Sequence, residues 1–134
     1  MWLNLVEQAK TLESIFKNDV VTLNNIKIRK IEIDCLNGWN FKIYIDLNQY
    51  PSNPPLKWTK NKNNTVQIEL NLVENEIINF QNIDCSLSSG NVCITEEGGY
   101  KQIIFTNNED YTVFTLKCKW IFINSVVGYN SDIE

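Results

Sequence analysis

Residues 26–47, IKIRKIEIDCLNGWNFKIYIDL, contain two runs of alternating polar and apolar side chains on either side of Asn37 and Gly38. Alternation with a period of two is the pattern of a strand that buries one face. An Asn-Gly pair between such runs indicates a tight turn, because both central residues of that turn need a positive φ. The segment therefore predicts an antiparallel hairpin, with one strand ending near Cys35 and the next running over 41–47.

The pattern outside this hairpin predicts helices at both ends of the chain. Apolar residues at helical spacing indicate an amphipathic helix over 2–17. The same spacing resumes near Asp110 and continues to Val127, with Gly128 as a suitable stop.

Between the helices, further strands are predicted at 56–59 and, from alternating aliphatic residues, over 66–72. Residues 84–100 are rich in Ser, Gly and Glu, which predicts an irregular segment. The resulting order is helix, four-stranded antiparallel meander, irregular segment and helix, an α+β fold in a single domain over residues 1–134.

Composition limits the possible classes of function. With 134 residues, 43% of them apolar and 21% charged, the chain has the composition of a globular domain. A net charge of −4 and a pI near 4.9 argue against a general binder of nucleic acid or membrane surfaces. No apolar run approaches the roughly 20 residues of a membrane span, and no signal peptide precedes the first amphipathic segment, so we expect a cytoplasmic protein.

The absence of histidine restricts the available chemistry further. Without histidine the chain has no Ser-His-Asp or Cys-His catalysis and no histidine-containing zinc site. Cys35, Cys85, Cys93 and Cys118 form no C-x-x-C pair, which also argues against a four-cysteine zinc site. Catalysis would have to use Cys, Asp, Glu, Lys, Tyr or Asn.

Three short motifs occur in the middle of the chain. YPSNPP at 50–55 follows the second predicted strand and holds all three prolines, which end that strand because proline cannot donate to a sheet ladder. NID at 82–84 is followed by GNVCI at 90–94. Together these motifs resemble the ubiquitin-conjugating enzyme family. There a Y-P-x-x-P-P turn leaves the sheet, and an H-P-N-I-D segment precedes a G-N-I-C-L active-site turn.

The resemblance covers most of the chain, and its motifs match to different degrees. The proline motif matches fully, and the cysteine turn over residues 90–93 differs only by Val92. Phe80 and Gln81 replace the family's His and Pro, and the spacing from Asn82 to Cys93 is longer than usual. The chain is similar to the compact conjugating domains of bacterial antiphage and conjugation operons.

The resemblance implies an activity and its site residues. Cys93 would be the nucleophile that carries the C-terminus of a partner protein as a thioester, and Asn82 would stabilise the oxyanion formed when an acceptor attacks. The cargo would be a ubiquitin-like protein or a cGAS-like nucleotidyltransferase. An upstream activating enzyme would spend the ATP, so no cofactor and no metal are expected.

Other interpretations of the same residues stay open. Cys93 also fits a buried core thiol or a redox sensor, and Asn82 fits a loop brace. Carboxylates that could orient an incoming lysine, or simply be solvated surface groups, are Asp84, Glu96, Glu97, Glu109 and Asp110. Asp110 also fits the N-cap of the last predicted helix.

A non-catalytic function is the main rival. Residues 12–16 and the proline motif also resemble RWD domains, which are binding modules related to the conjugating fold and to its cysteine-free variants. In such a protein-interaction module Cys93 would be incidental.

Overall fold

The hairpin predicted from residues 26–47 is present, and six further strands extend it into an antiparallel sheet. The computed structural model describes residues 1–35, 40–80 and 89–131, so Asn37 and Gly38 lie outside the described residues. The strands are β1 Ile26–Asp34, β2 Asn40–Asp46, β3 Thr65–Val73, β4 Glu76–Phe80, β5 Ser89–Glu97, β6 Tyr100–Asn107, β7 Thr112–Cys118 and β8 Trp120–Tyr129. The helical elements in these ranges are a 3-10 helix at Trp2–Leu5, α1 at Lys10–Phe16 and α2 at Leu56–Lys60.

The sheet has two parts. Its strand order is β4-β7-β6-β5-β1-β2-β3-β8. β3 and β8 pair along their whole length, from Thr65↔Tyr129 to Val73↔Trp120, whereas β1 and β5 pair only at Ile26↔Gly90 and Lys27↔Ser89. We call β1, β2, β3 and β8 the first half-sheet, and β4, β5, β6 and β7 the second half-sheet.

The inner faces of both half-sheets contribute to one buried hydrophobic cluster. In β3 the even-numbered residues 66–72 are fully buried and the odd-numbered ones are half-exposed, as expected for a strand with one face in the core. Leu12 and Phe16 of α1 complete the cluster from the N-terminal side. Phe105 and Phe114 contribute from the second half-sheet, with ring centroids 5.5 Å apart. Each half-sheet therefore keeps an outer face that can contact solvent or a partner.

The predicted fold class, an α+β ubiquitin-conjugating-like domain, is wrong. Eight strands are present instead of a four-stranded meander. The predicted C-terminal helix is β7 and β8, which are joined through a bend at Lys119. The buried positions alternate from Phe114 to Cys118 and from Ile121 to Ile123, but the bend changes the parity between Cys118 and Ile121, both of which are fully buried. Two strands with opposite parity thus imitated the period of a helix.

The predicted strand at 56–59 is also wrong, since this segment is the helix α2. Pro55 occupies its N-cap, where a fixed φ starts a helix without needing the missing N–H. Trp58 is the buried residue of α2, and its ring lies against Gly128 of β8, where an added Cβ would be 2.5 Å from the indole.

The N-terminal helix predicted over 2–17 is interrupted. Glu7 instead pairs its backbone with β8, and Gln8 has a φ of 63°, so α1 begins only at Lys10. The irregular segment predicted over 84–100 is largely a hairpin, because Ser89–Glu97 is β5 and pairs with β6 along its length. A tertiary pairing decided the structure in both places.

Candidate functional site

The predicted nucleophile Cys93 lies in the middle of β5 and not in a turn. Its side chain is exposed on the outer face of the second half-sheet, where it is paired with Ile104 of β6. Its neighbours on that face of β5 are Asn91 and Thr95, and both are uncharged. Glu97, four residues along the strand, is roughly 13 Å away at the usual rise of about 3.3 Å per residue. The thiol is therefore accessible, but these neighbours provide no acid or base.

Gly90 and Asn91, which carried the resemblance to an active-site turn, have structural functions. β6 passes so close to Gly90 that a Cβ would lie 2.1 Å from the carbonyl oxygen of Thr106. The amide oxygen of Asn91 accepts a hydrogen bond of 2.8 Å from the backbone N–H of Asn25. Close strand packing and a loop bond thus explain this pair of residues without catalysis.

The other predicted site residues are not brought together. Asn82, Asp84 and Cys85 lie outside the described residues. Glu96 forms an ion pair of 2.9 Å with Lys101 at the far end of β5. Asp110 has a φ of 65° in the β6–β7 turn, so it caps no helix.

That β6–β7 turn, which also contains Glu109, is organised by the buried Asn107. Its amide oxygen accepts hydrogen bonds of 2.9 Å and 3.0 Å from the backbone N–H groups of Glu109 and Tyr111. Glu109 is thus part of a structural turn at the opposite end of β6 from Glu96. Among the carboxylates that the structure describes, Glu96, Glu109 and Asp110 form no common site around Cys93.

The remaining described cysteines differ in accessibility. Cys35 is exposed just after β1. Cys118 is fully buried, and burial raises the pKa of its thiol to about 12. The core position suits Cys118 as a small apolar residue, and the neutral thiol is unreactive there.

The proline motif also has a structural function. Pro51 is buried, Pro55 begins α2, and the ring of Tyr50 packs at a centroid distance of 6.2 Å from Trp58. The motif thus places α2 against the first half-sheet. This structural function of the proline motif is compatible with a binding module as well as with an enzyme.

The outer face of the first half-sheet is the more distinctive surface. We call it the aromatic face, because Tyr44 of β2 and Trp120, Phe122 and Tyr129 of β8 all occupy its outward positions. All four are paired with odd-numbered residues of β3, whose even-numbered residues form the core. The pairing register therefore places the four aromatic side chains on the outer face. Aromatic side chains are enriched at the centres of protein interfaces, where they bury a large area at a small entropic cost.

A buried ion pair fixes one end of the aromatic face. Asp46, with a side chain 4% exposed, accepts a 2.5 Å hydrogen bond from Nε of Arg29 and one of 3.0 Å from Gln67. The hydroxyl of Tyr129 donates to the same carboxylate. The bond to Asp46 raises the pKa of Arg29, and burial, followed by that carboxylate, raises the pKa of Tyr129. Because its partners satisfy the buried carboxylate, this cluster stabilises the face and needs no ligand.

The centre of the aromatic face combines charge with aromatic surface. Lys30 and Glu32 form an ion pair of 2.7 Å, and the ammonium of Lys30 lies 5.5 Å from the ring centre of Tyr44. Lys30 lowers the pKa of Glu32, while partial burial and then Glu69 raise the pKa of the Tyr44 hydroxyl. The Tyr44 hydroxyl therefore stays neutral and can donate a hydrogen bond. The charged side chains around it are those of Lys30, Glu32 and Glu69.

At the edge of the same face, Lys119 lies 4.7 Å from the ring centre of Trp120, which is 37% exposed. Phe122 is half-buried two residues further along β8. The sequence pattern predicted a helix for Trp120 and Phe122. That prediction could not reveal that both residues share a face with Tyr44. The signal was present in the Thr, Val and Ile content of 112–127, which favours strands.

The arrangement offers surface chemistry and not a reaction centre. Among the described residues, no group of three or more Cys, Asp or Glu side chains could hold a metal ion. Within the same ranges, no helix has the length and apolar character to cross a membrane. The aromatic face has donors, acceptors, both signs of charge and aromatic surface, which together suit recognition of another protein.

The family model described as immunity protein 50 matches residues 8–129, which includes α1, α2 and all eight strands. No curated protein and no solved structure matches the chain significantly.

Proposed function

Because the chain belongs to the immunity protein 50 family, we propose that it protects the cell that makes it by binding and neutralising a toxin protein. The match over residues 8–129 carries this proposal, since it spans nearly all of the fold. Neutralisation by binding is stoichiometric and needs no nucleophile, metal or cofactor. The binding-module alternative to the enzyme is thereby favoured.

The aromatic face is the surface that we assign to the toxin. Tyr44, Trp120 and Phe122 provide the large rings that carry most binding energy in protein interfaces. Ion pairs within the face, such as Arg29–Asp46, hold side chains in place before binding. A surface that is ordered in advance loses little conformational entropy on association, which favours a long-lived complex.

A second candidate function, thioester transfer on Cys93, stays a prediction. The exposure of the Cys93 thiol favours it. The uncharged neighbours Asn91, Thr95 and Ile104 and the structural functions of Gly90 and Asn91 argue against it. The two functions differ in which variant destroys activity.

A growth-protection assay distinguishes toxin binding from thioester transfer. A toxin encoded beside this gene is expressed in a bacterial host so that it arrests growth, and this protein is expressed with it. We expect the wild type and Cys93→Ser to restore growth, and Tyr44→Ala to fail at equal expression. A matched change on the other face, Thr115→Ala, should protect normally. Failure of Cys93→Ser with protection by Tyr44→Ala would reject the binding function in favour of the thioester.

A further inference from the structure

The edge of the sheet formed by β8 is only partly covered. Over its first half the N-terminal segment lies alongside. The backbone N–H of Glu7 donates to the carbonyl of Ile121 at 2.7 Å, and the N–H of Ile123 donates to the carbonyl of Glu7 at 3.0 Å. Gln8 then takes a φ of 63° and the chain turns away. Beyond Ile123 the edge has no such cover among the described residues.

A bulge determines which backbone groups face this open edge. Leu70 pairs with Ile123 but Glu69 pairs with Ser125, so Asn124 is the extra residue. The bulge reverses the parity of β8, because an extra residue shifts every later N–H and C=O to the other side.

The parity beyond the bulge is fixed by bonds to neighbouring residues. The carbonyl of Tyr129 accepts from the N–H of Asn64, which lies on the β3 side. The carbonyl of Val66, opposite Gly128, accepts from Leu47 on the β2 side. Residues 125, 127 and 129 therefore point their backbone groups toward β3, and those of Val126 and Gly128 point outward.

Apart from the bulge at Asn124, the usual protections of a sheet edge are missing from this part of β8. Exposed edges are usually blocked by charged residues, proline or short length. Residues 120–131, WIFINSVVGYNS, contain no charged residue and no proline. The opposite edge strand, β4, has 5 residues, begins with Glu76 and is interrupted by a bulge. β8 has 10 residues and so keeps a strand edge able to pair.

We propose that the segment from Val126 to Gly128 pairs antiparallel with the same segment of a second copy of this chain. The twofold axis passes through Val127. Val126 of one copy exchanges two backbone hydrogen bonds with Gly128 of the other, and the symmetric pair exchanges two more. Val127, which is 46% exposed, then faces Val127 of the other copy on the outer face. This contact is isologous and closed.

The register suits self-pairing because no like charges meet. Ser125 opposes Tyr129, and Asn124 opposes Asn130 across the axis. A cross-strand contact between exposed β-branched residues, Val127 with Val127, is a favourable pair. The dimer also joins the aromatic faces of both copies into one eight-stranded surface, on the same side of the sheet. The surface assigned to the toxin would thereby double in width.

Molecular mass in solution tests the proposal without any toxin, so its outcome is independent of the proposed function. Sedimentation of the purified wild type should give twice the chain mass of 15.6 kDa. Val127→Lys places two ammonium groups opposite each other and should give a folded monomer with the circular dichroism spectrum of the wild type. Val127→Thr and Thr95→Lys, the latter on β5, should remain dimers. Mixing Val127→Lys with Val127→Glu chains should restore the dimer.

Cross-linking tests the register in a chain with its natural cysteines changed to serine. Directly opposed residues of this kind of pair have Cα atoms about 4.5 Å apart, which a disulfide can bridge. Val127→Cys should therefore form a covalent dimer on oxidation. Ser125→Cys should not, because the register separates the two copies of residue 125 by roughly 13 Å.

A wild type that stays monomeric at every concentration overturns the proposal, as does equal cross-linking through residue 125. A third outcome is a monomeric wild type that binds the toxin and loses that binding on Val127→Lys. This outcome would assign the edge to a strand of the toxin and would also reject the second copy as occupant.

Discussion

The two outer faces have the same strand architecture but different chemistry. The aromatic face presents Tyr44, Trp120 and Phe122 among paired charges. The outer face of the second half-sheet presents mainly threonines around Cys93 and Ile104, with Tyr100 and Lys117 at one end. We call it the threonine face after Thr95, Thr106, Thr112 and Thr115. The inner faces of both halves are mainly apolar. The core requires only one apolar face per strand, so burial in the core does not by itself account for the difference between the outer faces.

The largest difference in stability should come from the ion pairs of the two halves. Asp46→Ala removes a carboxylate with a buried side chain and leaves Arg29, Gln67 and Tyr129 without their acceptor, so we expect a loss of about 3 kcal/mol in unfolding free energy. Glu96→Ala removes the more exposed pair with Lys101 and should cost under about 1 kcal/mol. Chemical denaturation measures both. Equal costs would contradict the distinction.

Glycine replacements compare the packing of the halves. Gly90→Ala forces a Cβ against the Thr106 backbone, and we expect a loss of about 2 kcal/mol, within the range for overpacking. At Gly128 the added Cβ would lie 2.5 Å from the ring of the buried Trp58, so Gly128→Ala should cost a similar amount. Gly98→Ala meets nothing within 4 Å and pays only for its φ of 60°, about 1 kcal/mol. Melting curves rank the three, and a stable Gly90→Ala would refute the close approach.

The affinity for the toxin should also differ between variants of the two faces, by a free energy similar to that expected for Gly90→Ala. Phe122→Ala removes an aromatic ring from the aromatic face, and we expect a loss of about 2 kcal/mol, roughly thirtyfold in Kd for the toxin. Ile104→Ala on the threonine face removes an apolar side chain of similar exposure and should leave Kd unchanged. Calorimetric titration of the toxin gives both values. A larger loss for Ile104→Ala would move the binding surface to the threonine face.

Alkaline pH should expose a further difference between buried groups of the two halves. The folded pKa of Cys118 is about 12, raised from 9.0. Its contribution is complete below pH 9 and is lost as the pH rises toward 12, because the unfolded thiol ionises first. The slope is at most about 1.4 kcal/mol per pH unit.

Cys118→Ala should remove the part of this slope that begins near pH 9. The pKa of Tyr129 is also raised from 10.0, so a second loss beginning near pH 10 should remain and should be reduced in Tyr129→Phe. Melting temperature recorded from pH 8 to 12 separates the two. An unchanged onset in Cys118→Ala would contradict the assignment to this thiol.

The smallest effect concerns the threonine face itself. Native alkylation followed by mass spectrometry should label the exposed Cys93 and Cys35 rapidly and leave Cys118 unlabelled. If Cys93 carries no cargo, its alkylation should not change toxin binding. A covalent, thiol-sensitive adduct at Cys93 in cells would instead support the thioester prediction.

Local pattern predicted part of the fold correctly. The hairpin of 26–47 and the strand over 66–72 follow from strict alternation, which depends only on the chain's own period. The motif at 90–94 resembled an active-site turn, yet its Gly and Asn serve strand packing and a loop bond. A short motif fixes residue types but not the backbone that carries them.

By itself the sequence determined the central hairpin, the absence of histidine chemistry and the apolar pattern that each strand buries. The tertiary structure decided the rest. Glu7 left the predicted first helix because β8 accepted its backbone, and 112–127 became two strands because β6 and β3 pair with them. The aromatic face, too, exists only after β2 and β8 are brought to either side of β3. Long-range hydrogen bonding has no local signature, which is the physical reason why single-sequence patterns could not reveal it.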